Sequence, residues 1–338
     1  MANPVLIEVT RGDRVESIHR GSIAVVDPDG RVVAAIGDIE SPVYPRSSLK
    51  PVQALPLVES GASDAYGLGA EELALACASH SSEPMHTDRV KAWLARIGCE
   101  ESDLACGAHP SLSQPVANAM IRAGEKPTRA YNNCSGKHTG FLTLAKHWDI
   151  ATKGYELHDH PVQRAVAETL GEMTGLGPDM PWGVDGCTAP NFALPLHSLA
   201  FALAKMATPS TLPAARGAAA ERLIAAMMAH PELVSGTGRT CAILMRACDG
   251  KAAVKTGAEG FFAGVIPGKG YGITLKIDDG TGRAADAVMA VLLDKLGLLD
   301  TSGEAGEIVR APIMNTAKKQ VGERRASPTL AEFKMPSA

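Results

Sequence analysis

The sequence predicts an α+β fold, and three observations predict it. Strand-like runs gather near the start, at residues 5–10, 22–26 and 31–36, and again late in the chain, at 252–256, 261–266 and 271–277. Helix-like runs fill the interval between these two groups. The turn Asp27-Pro28-Asp29-Gly30 joins the second and third runs tightly, so the opening strands pair antiparallel. Strands and helices that separate along the chain point to α+β rather than to alternating units.

Taken in order, residues 15–21, Val15-Glu16-Ser17-Ile18-His19-Arg20-Gly21, are polar and short and read as a plain hairpin loop. A helix begins near Ser47, residues 61–69 connect, and residues 70–78 form a short helix that ends at Ser79-His80-Ser81-Ser82-Glu83-Pro84. Further helices read at 86–97, 141–147, 161–174, 194–206, 215–230 and 236–248, with a last one at 286–298 placed to pack on the sheet. Beyond Thr301 the chain turns polar, with Lys318, Lys319, Arg324 and Arg325, and reads as a loose tail. The expected organisation is one catalytic domain over residues 1–300 with a helical lobe, then a polar C-terminal tail over 301–338.

The totals narrow the function. A chain of 338 residues with net charge −4 buries a real core. Its basic residues are scattered rather than striped, so nucleic acid is not the expected partner and a small molecule is. No apolar stretch reaches membrane-spanning length and no signal core follows the start, which predicts a cytoplasmic protein with no membrane partner. Seven cysteines, an odd number, predict reduced thiols rather than a disulfide framework. Cys99 and Cys106 have no helpful spacing and are given no role.

Three segments concentrate chemistry. In Pro45-Arg46-Ser47-Ser48-Leu49-Lys50-Pro51, a helix start puts Ser47 and Lys50 one turn apart, a hydroxyl beside an amine. A serine needs a base to become a nucleophile, and a lysine serves only if its amine is kept neutral. The same residues also read as an N-cap and a solvated first turn. Ser79 is a candidate second hydroxyl, or a member of a capped loop. Tyr131-Asn132-Asn133-Cys134-Ser135-Gly136-Lys137-His138-Thr139-Gly140 is the densest run of polar, reactive side chains. Its helix start could aim backbone N–H groups at a carboxylate or oxyanion. Cys134 and Cys187, with Lys137 or His138, could bind a soft metal, while Cys134 alone could be a reactive thiol and the whole run a capping loop. Finally, Lys255-Thr256-Gly257 ends a strand-like run, and Lys-Thr-Gly accompanies Ser-x-x-Lys, in this order, in the serine β-lactamases and penicillin-binding proteins.

With these pieces assembled, the sequence resembles the rhizobial-type (class 3) L-asparaginase family. The resemblance spans roughly residues 5–298. It is carried by Glu16-Ser17-Ile18-His19-Arg20-Gly21, Pro45 to Pro51, Ala78-Ser79-His80-Ser81, Asn132 to His138 and Asp185-Gly186-Cys187. It implies an antiparallel sheet flanked by helices, like serine β-lactamases and glutaminases, and a homodimer. It implies two Ser-Lys pairs, Ser47 with Lys50 and Ser79 with Lys255, and a zinc held by Cys134, Lys137 and Cys187, with no organic cofactor. The expected activity is hydrolysis of the L-asparagine side-chain amide, with Arg46, Asn133, His138 and Asp185 as candidates for substrate binding. Glutaminase or β-lactamase-like activity, a metal- or amino-acid-binding protein on the same fold, and a thiol redox sensor are the competing readings.

Overall fold

The computed structural model describes residues 2–336. In chain order its strands are β1 (Val5–Arg11), β2 (Arg14–Val26), β3 (Val32–Ile36), β4 (Trp182–Val184), β5 (Pro190–Phe192), β6 (Ala253–Thr256), β7 (Phe261–Ile266), β8 (Tyr271–Ile277), β9 (Ala311–Met314) and β10 (Gln320–Ala326). The chain divides into two compact units.

The first unit comprises Met1–Ser48, Leu194–Thr208 and Ile243–Ala338. Its antiparallel sheet runs β6-β7-β8-β2-β1-β10-β9, with β3 also paired to β2. Strand β2 is the hinge of this arrangement. Its polar first half pairs with β1, Val5 opposite Arg20, and from Gly21 opposite Ile277 its buried second half pairs with β8. All six residues of β7 are buried, which requires cover on both faces of the sheet. The helix Leu196–Ala207 packs on β2 and β8, and Gly282–Lys295 packs on β7 and β8.

Two readings of the sequence are corrected here. Residues 15–21 are not a loop but the first half of β2; the hairpin turn lies at residues 12–13, where Gly12 has φ +55°. Val15 and Ile18 there stay exposed, at 45% and 42%, so a solvent-facing strand left no buried period to read. The residues after Thr301 are not a loose tail either. They hold the helix Glu304–Val309 and strands β9 and β10, and β10 pairs with β1, Ile7 opposite Ala326 and Val9 opposite Arg324. Arg325 reaches Glu8 at 3.1 Å and Arg310 reaches Glu323 at 2.6 Å, so ion pairs line a strand that composition marked as merely polar.

The second unit comprises Leu49–Ala193 and Pro209–Ala242 and is mainly helical, with one small hairpin, β4 to β5. Its core is the helix Ser135–His147, whose first eleven residues are all buried. A helix buried on every side is an interior element. Trp93 donates to Thr143 on it at 3.0 Å. Gly136 allows the helix to lie against Ala70–Ala76: a Cβ there would fall 2.3 Å from the Leu75 carbonyl oxygen. The helices at Pro161–Thr174 and Ala214–Ala229 form nearly where their periodicity predicts. No helix among the described residues is long and apolar enough to cross a membrane.

Candidate active site

The second unit brings several of the sequence-predicted residues together. Lys50 opens the helix Lys50–Gln53, which follows a 3-10 turn over Arg46–Leu49 in the chain. Lys50 is 1% exposed. Its Nζ donates to Ser79 Oγ at 3.0 Å, to the Ala78 carbonyl, and at 3.5 Å to the Asn133 carbonyl. These acceptors are neutral oxygens, one of them a hydroxyl. The amine can therefore pass a proton along a short hydrogen-bonded path.

Ser79 follows the short helix Ala70–Ala76, and its backbone N–H is held by the Val234 carbonyl at 2.9 Å. The next residue braces the loop. His80 accepts from the Ser82 backbone N–H at Nδ1, 3.2 Å, which leaves Nε2–H to donate to Ser135 Oγ at 2.9 Å. Burial pushes the His80 pKa well down, so the ring stays neutral. The His80 backbone N–H also donates to the Asn133 carbonyl at 3.3 Å, which joins the Ser79 loop to the Cys134 loop.

The second cluster is built on sulfur. Cys134 stands just before the helix Ser135–His147, and Lys137 lies in its first turn. The sequence reading began this helix at residue 141; the reactive run is in fact its buried first turns. Cys187 and Asp185 sit in the loop between β4 and β5, closed by Asp185 N–H to the Ala189 carbonyl at 2.9 Å. Lys137 Nζ lies 3.3 Å from Cys187 Sγ. The Cys134 thiol hydrogen-bonds to Cys187, and this holds the Cys134 pKa up, with burial adding to it. The same bond draws the Cys187 pKa down against its burial, and the Lys137 ammonium draws it further. Burial pushes the Lys137 pKa down, but the charge on Cys187, with that on Asp185, more than offsets it and the amine is held charged. One proton short of neutral, the pair is a thiolate and a thiol facing an ammonium.

Among the described residues no three His, Cys, Asp or Glu side chains converge as a metal site. Two sulfurs and the Lys137 amine do converge, and that donor set fits zinc. Tetrahedral Zn–S and Zn–N bonds of about 2.3 and 2.1 Å put sulfur and nitrogen about 3.6 Å apart. Lys137 Nζ and Cys187 Sγ are 3.3 Å apart. An ion would replace the protons now shared among these groups.

His138 lies behind this cluster, fully buried. Tyr155 OH accepts from the Ala105 N–H at 2.9 Å and shares a hydrogen bond with His138 Nδ1, 2.7 Å away. His138 Nε2 has no hydrogen-bond partner. Burial, then the Lys137 charge, push the His138 pKa down to about 3. Asn133 Oδ1 lies 3.3 Å from Cys134 Sγ, and the Asn133 backbone N–H donates to His109 Nε2 at 2.9 Å. Sequence reasoning passed over Tyr155 and the bracing role of His80. Nothing around Tyr155 signals a partner, whereas His80 stood in a polar cluster already marked.

The first unit carries the remaining candidates. Arg46 and Ser47 are half-buried, while Ser48 is fully buried. Ser48 Oγ donates to the Lys255 carbonyl at 2.8 Å. The Lys255 side chain, 1% exposed, donates to the Thr256 carbonyl at 2.8 Å.

The chain is an amidohydrolase: it belongs to the L-asparaginase II family, whose pattern matches residues 7–326. No curated protein matches it. Among solved structures it is similar to a β-lactamase from Mycobacterium bovis, at 18% identity over 79% of this chain and 89% of that one, TM-score 0.38. Mglu in its tris and glutamate form is 19% identical over 84% of this chain, TM-score 0.39, and this chain spans 61% of Mglu. The simvastatin synthase of Aspergillus terreus is 11% identical over 75% of this chain and 86% of that one, TM-score 0.36. The assignment rests on the family match along the chain.

Proposed function

We propose that the protein hydrolyses the side-chain amide of L-asparagine to L-aspartate and ammonia, with Ser47 as nucleophile and Lys50 as its base. The observation that carries this reading is Lys50: a buried amine bound to the Ser79 hydroxyl and to backbone carbonyls, three residues after a half-buried serine. Ser47 Oγ attacks the amide carbon while neutral Lys50 takes its proton. The tetrahedral intermediate collapses, the proton on Lys50 passes to the leaving nitrogen, and ammonia departs from a β-aspartyl ester on Ser47. Water, deprotonated by the same amine, then attacks the ester, and the amine returns that proton to Ser47 Oγ as L-aspartate leaves. Ser79 relays the proton on Lys50, and Lys255 is, by resemblance to the family, a further catalytic lysine.

Arg46 matches the planar α-carboxylate of the substrate, and Asn133 and Asp185 offer a carbonyl and a carboxylate suited to its amine. His138 belongs to this set through its place beside Lys137. Cys134, Lys137 and Cys187 would hold a zinc ion, which when bound supplies fixed positive charge to orient substrate. The reading extends to a homodimer in the cytoplasm. Family resemblance supports the dimer, and the buried, reduced thiols of Cys99, Cys106, Cys134, Cys187 and Cys248 support a reducing compartment.

Ammonia release from L-asparagine and, separately, from L-glutamine tests the proposal. One methylene in a pocket discriminates by roughly 10- to 200-fold, so faster release from asparagine is expected with glutamine as a weak substrate. Tight binding of asparagine without ammonia release would instead fit a binding protein.

A further inference from the structure

Ser47 and Ser48 are adjacent in the turn that carries the proposed nucleophile, yet their surroundings differ. Ser48 has no solvent exposure, and its Oγ is committed to the Lys255 carbonyl at 2.8 Å. Its backbone N–H closes the turn on the Pro45 carbonyl at 3.1 Å. Inside that turn Arg46 has φ +54°, a left-handed conformation that is costly for a residue with a Cβ and persists only where the surroundings enforce it.

The surroundings that enforce it lie at the end of β6. A Cβ on Gly257 would fall 2.3 Å from the Pro45 carbonyl oxygen and 3.0 Å from Ser48 Oγ, so only glycine lets the turn approach this closely. The Lys255-Thr256-Gly257 triplet thus meets the turn twice, at the Lys255 carbonyl through Ser48 and at the Gly257 α-carbon through Pro45. Both contacts lie within one compact unit.

We propose that Ser48 is a positioning residue: its hydrogen bond to the Lys255 carbonyl, with Gly257 seated under Pro45, locks the nucleophile turn onto β6 and sets Ser47 and Lys255 in place together. The inference rests on Ser47 being the nucleophile. It gives each of the two serines one task. Ser48, buried and committed as a donor, holds; Ser47, half-buried, attacks. A group that fixes reacting atoms acts on turnover rather than on substrate affinity, since a misplacement of about 1 Å costs about 10²-fold in rate.

Purified Ser48→Ala, Ser48→Thr and Gly257→Ala proteins are compared with wild type and Ser47→Ala in steady-state ammonia release from L-asparagine, each rate divided by the folded fraction from near-ultraviolet circular dichroism. Ser48→Ala is expected to lose about 10²-fold in kcat per folded molecule with KM within about 3-fold of wild type. Ser48→Thr, which keeps the hydroxyl, restores most of the rate, and Gly257→Ala repeats the pattern of Ser48→Ala. Wild-type kcat in folded Ser48→Ala, or a Ser48→Thr protein that is folded and no better than Ser48→Ala, overturns the proposal. If Ser48→Ala does not fold, Gly257→Ala decides in the same way, because its added methyl moves the turn without removing the hydroxyl. An active Ser47→Ala overturns the nucleophile assignment itself, whereas an inactive Ser47→Ala beside a fully active Ser48→Ala overturns the positioning role alone.

Discussion

Lys50 and Lys137 are buried to nearly the same degree, 1% and 5% exposed, within one unit, and they keep opposite company. Lys50 donates to a hydroxyl and to backbone carbonyls, all neutral. Lys137 faces a thiolate and a thiol, with Asp185 adding negative charge. The Lys50 amine can exchange a proton with the hydroxyl beside it. A buried amine opposite a thiolate is held as a cation and yields its proton only to a competing cation. Burial alone therefore does not make a lysine a base; its neighbours decide.

The comparison can be broken most sharply at Lys50. Lys50→Met keeps the volume and removes the base, and kcat should fall about 10³-fold, within the usual range for a lost general base. A smaller loss than that from Lys50→Met than from Lys137→Met would reverse the roles. At Lys137 the expected readout is metal. Wild-type protein dialysed against zinc should retain about one ion per chain, and Lys137→Met or Cys187→Ser much less, with KM for asparagine raised about 10-fold and kcat changed less. Zinc content measured by atomic absorption checks this without reference to activity.

Ser79→Ala sharpens the Lys50 side. Removing the hydroxyl leaves Lys50 two carbonyl partners, and a relay worth about one hydrogen bond should cost about 10-fold in kcat with little change in KM. The smallest effect concerns stability. The His138 ring is held neutral, its pKa near 3 against an ordinary 6.5. A folded pKa below the unfolded one means the contribution is fully present above pH 6.5 and is lost as pH falls toward 3. The part of the unfolding free energy that His138 contributes should drop by about 2 kcal/mol between pH 7 and pH 5, and urea titration of His138→Asn should show a slope shallower than wild type by that amount.

Much of the architecture was legible because it repeats. The helix at residues 161–174 forms where its period places it, and the turn at Asp27-Pro28-Asp29-Gly30 closes with Gly30 N–H on the Asp27 carbonyl at 3.0 Å. Residues 15–21 and strand β10 were illegible for the opposite reason: exposed or ion-paired strands bury too little to leave an apolar period. The site was legible in its residue types and not in its pairings. Ser47 and Lys50 stand three apart, so a helix rule reaches them. Lys50 and Ser79 are 29 residues apart, and only the folded chain brings them together. The holding role of Ser48 was not legible, because its partner is the Lys255 carbonyl, 207 residues away.

The most direct test is the turnover of folded Ser47→Ala protein on L-asparagine, followed as ammonia release beside wild type. The account predicts a rate at least about 10³-fold below wild type, with an unchanged circular dichroism spectrum and asparagine still bound. A wild-type rate from that protein would contradict it and move the nucleophile elsewhere.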